Sequence, residues 1–170
     1  MNLREKFRNV PDFPHQGIDF IDITTLLKDG EAFRIAIDML SELYQDKHID
    51  VVVGPEARGF VVGAPVAYVL GAGFVPIRKP GKLPAEIIRY EYTLEYGKDA
   101  LEIHKDAIEP GSNVLIVDDL LATGGTTMAT VKMVEQLGGK VVGLAFLIEL
   151  SFLNGRQVLD GYDITSLVQY

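Results

Sequence analysis

The residues best suited to chemistry lie in one segment, residues 114–127, with the sequence VLIVDDLLATGGTT. An apolar run ends in two carboxylates, and a Gly-Gly turn then leads into a predicted helix. Backbone N–H groups at a helix N-terminus carry partial positive charge, and glycines let an anion approach them closely. Threonine hydroxyls add further donors. The loop therefore predicts a phosphate site built from Thr123, Gly124, Gly125, Thr126 and Thr127.

Two adjacent carboxylates, Asp118 and Asp119, precede this loop at the predicted strand end. They offer acceptors to neighbouring hydroxyls, such as the two cis hydroxyls of a ribose. Alone, an acidic pair could also bind Mg²⁺ directly or accept a phosphoryl group, and a Gly-Gly pair is often only a turn. Other phosphate loops do not match, because the sequence has neither GxxxxGK[ST] nor GxGxxG after a strand.

The formal net charge of -8 argues against a nucleic-acid partner, because such binding requires a broad basic surface. An anionic small molecule needs only a local basic patch. One patch is present, in Arg78, Lys79, Lys82 and Arg89. By itself, such a basic cluster is more often a solvated surface than a binding site.

The absence of cysteine removes disulfides and thiolate metal sites and fits a reducing compartment, so we expect a cytoplasmic protein. The first ten residues mix charged and apolar side chains and do not resemble a signal peptide. The longest apolar stretch, residues 61–74, is too short to span a bilayer, so no membrane role is expected. The three histidines show no metal-ligand spacing, and no protein metal site is predicted.

Strands and helices alternate along the chain. Short apolar runs predict strands, and longer periodic segments predict helices. The predicted strands are 51–53, 74–77, 114–117 and 141–148, and the predicted helices are 31–45, 59–70 and 125–137. This order predicts an α/β fold with a central, mainly parallel sheet flanked by helices, whose ligands bind beyond the carboxyl ends of the strands. Residues 87–104 alternate with period two instead, which predicts a two-stranded excursion.

Residues 114–126, VLIVDDLLATGGT, resemble the phosphoribosyl pyrophosphate signature of the type I phosphoribosyltransferases. Further segments resemble the adenine phosphoribosyltransferases within that family, in the family's order and over nearly the whole chain. They are PDFPHQGIDFIDIT (11–24), GPEARGF (54–60), IRKPGKLP (77–84), LEYGKDALEIHKDAI (94–108) and LIELSFLNGR (147–156).

The resemblance implies a role for each matched residue. Asp118 and Asp119 would hold the ribose hydroxyls. The 5'-phosphate would be enclosed by Ala122, Thr123, Gly124, Gly125 and Thr126. The pyrophosphate would contact the turn of Glu56, Ala57 and Arg58, often formed in the family with a strained or cis peptide, and the basic residues Arg78, Lys79 and Lys82.

The family likeness also places the base and the catalytic loop. Adenine would stack on Phe20, with backbone groups beside Ile21 reading its polar edge, and Arg58 would reach the base. Ile21 departs from the basic residue frequent in relatives. Glu95 would act as general base on the purine proton, and Tyr96 would lie over the reacting centre. Only the likeness, and no periodicity, selects Glu95 over Glu91.

The resemblance further implies a Mg²⁺ ion that is bound mainly through phosphoribosyl pyrophosphate. It also implies that the products are AMP and pyrophosphate and that the protein is a homodimer. It predicts the type I phosphoribosyltransferase fold as one domain over residues 1–170, with hood elements at about 1–30 and 150–170 and a flexible loop at about 80–102. Two alternatives stay open: transfer to another purine base, and a regulator that senses phosphoribosyl pyrophosphate without catalysis.

Overall fold

The computed structural model describes residues 1–94 and 97–170. The strands are β1 (Arg8–Val10), β2 (Phe20–Asp22), β3 (Val51–Pro55), β4 (Gly73–Ile77), β5 (Ile87–Leu94), β6 (Gly97–His104), β7 (Asn113–Leu121), β8 (Lys140–Glu149) and β9 (Ile164–Gln169). The helices are α1 (Thr24–Leu27), α2 (Gly30–Glu42), α3 (Arg58–Leu70), α4 (Gly125–Gln136) and α5 (Gly155–Val158). Two 3₁₀ helices span Leu3–Lys6 and Ser151–Leu153.

Five strands form the central sheet in the order β4-β3-β7-β8-β9, and every neighbouring pair is parallel. The predicted α/β fold with a central parallel sheet is confirmed, and its four predicted strands are all present. The fifth strand, β9, is missing from the sequence prediction. Its sequence, ITSLVQ, mixes polar and apolar residues because it lies at the sheet edge and is mostly half-buried.

Both faces of the sheet are buried, which explains the uninterrupted apolar runs of the inner strands. Successive strand residues point to opposite faces. Val52 and Leu115 pack with residues of α2 and α3, while Val53 and Ile116 pack with residues of α4 and β6. A strand with one solvated face would have alternated apolar and polar residues instead.

The three long helices lie where the sequence predicts them, and capping residues mark their ends. Asp29 caps α2 by accepting a hydrogen bond from the Ala32 N–H at 3.1 Å. Helix α3 ends at Gly71, which has the left-handed φ of +66°. In the described part of the chain, no helix is long and apolar enough to cross a membrane.

Strands β5 and β6 form a separate antiparallel hairpin, as the period-two pattern predicts. Leu101 and Ile103 of β6 anchor the hairpin in the core on the α4 face. A bridge between Arg78 and Glu102 ties it to the chain after β4. The hairpin therefore lies beside the carboxyl ends of the strands, where ligands are expected.

Candidate active site

A cavity opens where β3 and β7 end. Its wall combines the loop before α4, the carboxylates of β7, the turn after β3 and one basic side chain. The lining residues are Pro55, Glu56, Arg58, Lys79, Leu101, Asp118, Asp119, Leu120, Ala122, Thr123, Gly124, Gly125, Thr126 and Thr127. The structure thus brings the predicted phosphate loop, acidic pair and turn together in one place.

The phosphate loop joins β7 to α4 with a shape that requires glycine. Gly124 has a φ of +87°, a region that side chains rarely adopt. A Cβ atom there would also lie 2.9 Å from the Gly155 carbonyl oxygen. Helix α4 starts at the next residue, and the residues of its first turn line the cavity. The N–H groups of a first turn have no partner within the helix. Such an end attracts an anion.

The acidic pair lies beside this loop, and its members differ in environment. Asp119 is 4% exposed, and its Oδ2 forms an ion pair with Arg58 Nε at 2.7 Å. Asp118 is half-buried and accepts the Asp119 N–H at 2.8 Å. Burial, and then the neighbouring Asp119 charge, raise the pKa of Asp118 well above its usual range. Gly59 allows this packing, since a Cβ there would lie 3.0 Å from Asp118 Oδ1.

The turn after β3 carries a concentrated ion-pair cluster. The peptide bond between Glu56 and Ala57 is cis. The Glu56 carboxylate accepts hydrogen bonds from Arg78 Nε at 3.2 Å, the Lys79 backbone N–H at 2.5 Å and Lys82 Nζ at 2.5 Å. Burial alone would raise the pKa of Glu56, but these bonds outweigh it and lower the pKa to about 2.

The basic residues expected at the pyrophosphate thus occupy two positions. Lys79 lines the cavity directly. Arg78 and Lys82 pair with Glu56, which itself lines the cavity. The solvated surface cluster considered from sequence does not describe this geometry, because three neighbouring donors converge on one carboxylate.

Phe20 lies next to Arg58 at the edge of the site. Arg58 Cζ is 5.6 Å from the Phe20 ring centroid, within cation–π range. The Phe13 ring meets Phe20 edge to face at 5.3 Å, and a second, apolar cavity is lined by Val10, Phe13, Phe20 and Asp22. Ile21, the next residue of β2, packs against the core. Phe20 is therefore available to a planar ligand, and Ile21 supports the strand.

Glu95 and Tyr96, predicted as catalytic residues, lie outside the described residues. Two side chains of the same hairpin reach the site although the sequence analysis did not select them. The Tyr92 hydroxyl lies 3.3 Å from Thr126 Oγ1, and Asp99 pairs with Lys79. Period-two alternation could have indicated the inward face of Tyr92, but Asp99 carries no comparable signal.

Comparison with known proteins identifies the family. Residues 22–165 match the model of the phosphoribosyl transferase domain. The chain is 67% identical, over 170 residues and 100% of both chains, to an adenine phosphoribosyltransferase of Alkaliphilus metalliredigens.

Solved structures agree with this result. The adenine phosphoribosyltransferase of Thermoanaerobacter pseudethanolicus superposes with a TM-score of 0.96 at 58% identity, covering 99% of this chain and 98% of that one. The Saccharomyces cerevisiae enzyme, solved with an imino-altritol bisphosphate and adenine, gives 0.92 at 43% identity, covering 97% and 96%. With a matching fold and similarity over its full length, the chain belongs to the adenine phosphoribosyltransferase family.

Proposed function

We propose that this chain transfers the 5-phosphoribosyl group of phosphoribosyl pyrophosphate to adenine, giving AMP and pyrophosphate in purine salvage. The observation that carries the proposal is the continuous β7–α4 segment, which places an acidic pair and an anion-binding loop on one cavity wall. The full-length relative is named for this activity, and the yeast structure holds adenine together with a bisphosphate.

The sugar end of the substrate is assigned to the β7–α4 segment. Ala122, Thr123, Gly124, Gly125 and Thr126 surround the 5'-phosphate, which the backbone N–H groups of the loop and the first turn of α4 bind. Asp118 and Asp119 accept the ribose hydroxyls. Arg58 holds the Asp119 carboxylate in place at 2.7 Å. A carboxylate fixed in this way orients the sugar with little loss of side-chain freedom.

The pyrophosphate end is assigned to the opposite wall. Lys79 donates to the leaving group from the cavity wall. Arg78 and Lys82, which donate to the Glu56 carboxylate, place further positive charge beside the turn of Glu56 and Ala57. As the bond from the anomeric carbon to pyrophosphate breaks, negative charge gathers on the leaving oxygen. Cations already positioned there stabilise that charge at no cost in reorganisation.

Adenine is assigned to the space beside Phe20 and Arg58, with the backbone at Ile21 facing the base. The purine N9 attacks the anomeric carbon, pyrophosphate departs with the bonding electrons, and the N9 proton passes to a general base. We assign that proton transfer to Glu95, with Tyr96 over the reacting centre, on family likeness alone. Residues of about 1–30 and 150–170 form a hood on the proposed single domain, while most of the range expected as a flexible loop, about 80–102, belongs to the paired strands β5 and β6.

Mg²⁺ is proposed as an ion that enters with the substrate. Within residues 1–94 and 97–170, no group of three acidic or histidine side chains could hold a metal. Asp118 and Asp119 are assigned to the ribose hydroxyls, and the ion takes most of its ligands from phosphate, ribose and water. When bound, the ion neutralises pyrophosphate charge.

We also propose a homodimer and a cytoplasmic location. Helices α2 and α3 lie against each other and expose apolar side chains at helical spacing. These residues are Met39, Leu43, Val61, Tyr68 and Val69. Tyr68 is 88% exposed, which is unusual for a large aromatic ring and fits burial against a second copy. Sedimentation of the wild-type chain and of Tyr68→Lys tests this, because the variant should sediment as a monomer.

The activity is tested by mixing the protein with phosphoribosyl pyrophosphate, Mg²⁺ and one base at a time from adenine, hypoxanthine, guanine and xanthine. Adenine should give AMP and pyrophosphate at a far higher kcat/KM than the other bases. Faster turnover of another base would reassign the substrate. Binding of phosphoribosyl pyrophosphate without turnover of any base would indicate a regulator.

A further inference from the structure

Two side chains of the β5–β6 hairpin connect opposite walls of the cavity. Tyr92 and Asp99 are directly paired across the hairpin, and the Tyr92 hydroxyl donates to Asp99 Oδ2 at 3.2 Å. The same hydroxyl lies 3.3 Å from Thr126 Oγ1, and Lys79 Nζ donates to the same Asp99 oxygen. A continuous path of hydrogen bonds therefore runs from Lys79 through the hairpin to Thr126.

The protonation states keep this path intact. The hydrogen bond from Lys79 is the largest of the influences that lower the pKa of Asp99, so this residue carries a negative charge. Burial raises the pKa of Tyr92, so its hydroxyl keeps the proton that it donates. The Tyr92 ring also lies close to the phosphate loop: a Cβ added to Gly125 would lie 3.8 Å from ring carbons of Tyr92.

The Lys79 side chain has donors to spare. An ammonium group carries three N–H bonds, so one can point to Asp99 while others reach a ligand. Lysine also loses considerable rotamer freedom when it is fixed. The side chains of Lys79 and Asp99 are 42% and 28% exposed, so the pair forms at the cavity rim and not in the core. A lysine that is already held pays less of this entropy when the ligand arrives.

We propose that Asp99 and Tyr92 are positioning residues that fix the separation between Lys79 and Thr126. The inference rests on the proposed function, in which Lys79 meets the pyrophosphate end and Thr126 the 5'-phosphate end of one substrate. A ligand with both ends benefits from the fixed separation. A ligand with only the 5'-phosphate end does not depend on Lys79.

The test is calorimetric titration of the full chain with phosphoribosyl pyrophosphate and, separately, with ribose 5-phosphate. Asp99→Asn should raise the Kd of phosphoribosyl pyrophosphate about fivefold and leave that of ribose 5-phosphate within about twofold. In steady state, the KM for phosphoribosyl pyrophosphate should rise by the same factor, with kcat and the KM for adenine unchanged. Tyr92→Phe should raise the same KM. The control is Glu91→Gln, an exposed hairpin carboxylate that pairs with Arg89 at 3.3 Å.

A second comparison separates positioning from general damage to the hairpin. In a Lys79→Met background, Asp99→Asn should have no further effect, because its influence passes through the lysine. Additive effects, or equal weakening of both ligands, would overturn the proposal. Tighter binding of phosphoribosyl pyrophosphate by Asp99→Asn would also overturn it, since Asp99 would then only compete for Lys79.

The outcomes for the two proposals are distinct. A wild-type chain that binds phosphoribosyl pyrophosphate but forms no AMP removes the proposed function and leaves the binding comparison decisive. A wild-type chain that does not bind this ligand removes both proposals.

Discussion

The two walls of the cavity differ in the features that they offer to an anion. The β7–α4 wall relies on backbone shape: Gly124 has a φ of +87°, a Cβ there would lie 2.9 Å from the Gly155 oxygen, and α4 begins at the next residue. The opposite wall relies on cations that are already paired with carboxylates, Lys82 with Glu56 and Lys79 with Asp99. The first wall is fixed before the ligand arrives, while the second must share or exchange its partners.

The largest effect should come from altering the backbone of the β7–α4 wall. We expect Gly124→Ala to lower kcat/KM about 100-fold, because the added Cβ would lie 2.9 Å from the Gly155 oxygen and would displace the loop by a fraction of an ångström or more. Gly111→Ala is the matched control, since Gly111 has the same φ of +87° with nothing within 4 Å. Gly111→Ala should lose about 1 kcal/mol of stability from its left-handed backbone alone, and Gly124→Ala should lose more because of the added clash, both measured by urea unfolding. Equal activity losses would contradict the role of loop shape.

The next effect concerns the junction of the two walls, where Arg58 pairs with Asp119. Asp119→Asn removes the buried negative charge that pairs with Arg58 at 2.7 Å and replaces one of its two acceptor oxygens with an NH₂ donor, so kcat/KM should fall about 30-fold. Asp163→Asn breaks a pair of the same length, with Lys47, at the surface, and should change activity less than about twofold. Steady-state assays on both variants decide the point. A small loss in Asp119→Asn would remove this carboxylate from the sugar site.

On the wall opposite the β7–α4 segment, removing the Glu56 charge should change how the stability of the fold depends on pH. The pKa of Glu56 is about 2 in the folded chain, against an ordinary value of 4.5, so its ionised form stabilises the fold. This contribution is present above pH 4.5 and is lost as the pH falls toward 2. Glu56→Gln should therefore lower the free energy of unfolding at pH 7 by about 1 to 2 kcal/mol. Urea unfolding of both proteins from pH 7 to pH 3 should show the difference shrinking.

The smallest effect should have the opposite sign. Because the pKa of Asp118 is raised above its ordinary value of 3.8, ionising it opposes folding, and this penalty is absent below pH 3.8 and grows above it. Asp118→Asn keeps an oxygen for the Asp119 N–H and should raise Tm at pH 7 by about 2 °C. Thermal scans at pH 7 and pH 4 test the sign. A lower Tm at pH 7 would show that the lost bonds outweigh the relieved charge.

The same contrast explains what the sequence could predict. The phosphate loop and its acidic pair lie within residues 114–127, so strand, turn and helix signals are read together. The contact of Lys79 with Asp99 joins residues 20 positions apart through the fold of a hairpin, and no local pattern specifies it. The edge strand β9 was missed for a related reason, because its half-buried positions tolerate polar residues.

Family likeness supplied what local physics could not. The choice of Glu95 over Glu91 and the identity of the base rested on it, and periodicity treats both glutamates alike. The three long helices and four strands needed no such help, since their apolar spacing follows from the faces that they bury.

The strand order β4-β3-β7-β8-β9 also has a consequence for synthesis on the ribosome. The middle strand, β7, begins at Asn113, so two thirds of the chain must emerge before the first strands gain their central neighbour. Until then β3 and β4 have only each other and the helices α2 and α3, and a two-stranded unit is marginal in water. The sheet and the nucleotide cavity should therefore appear together and late during translation, leaving the early strands dependent on protection from aggregation.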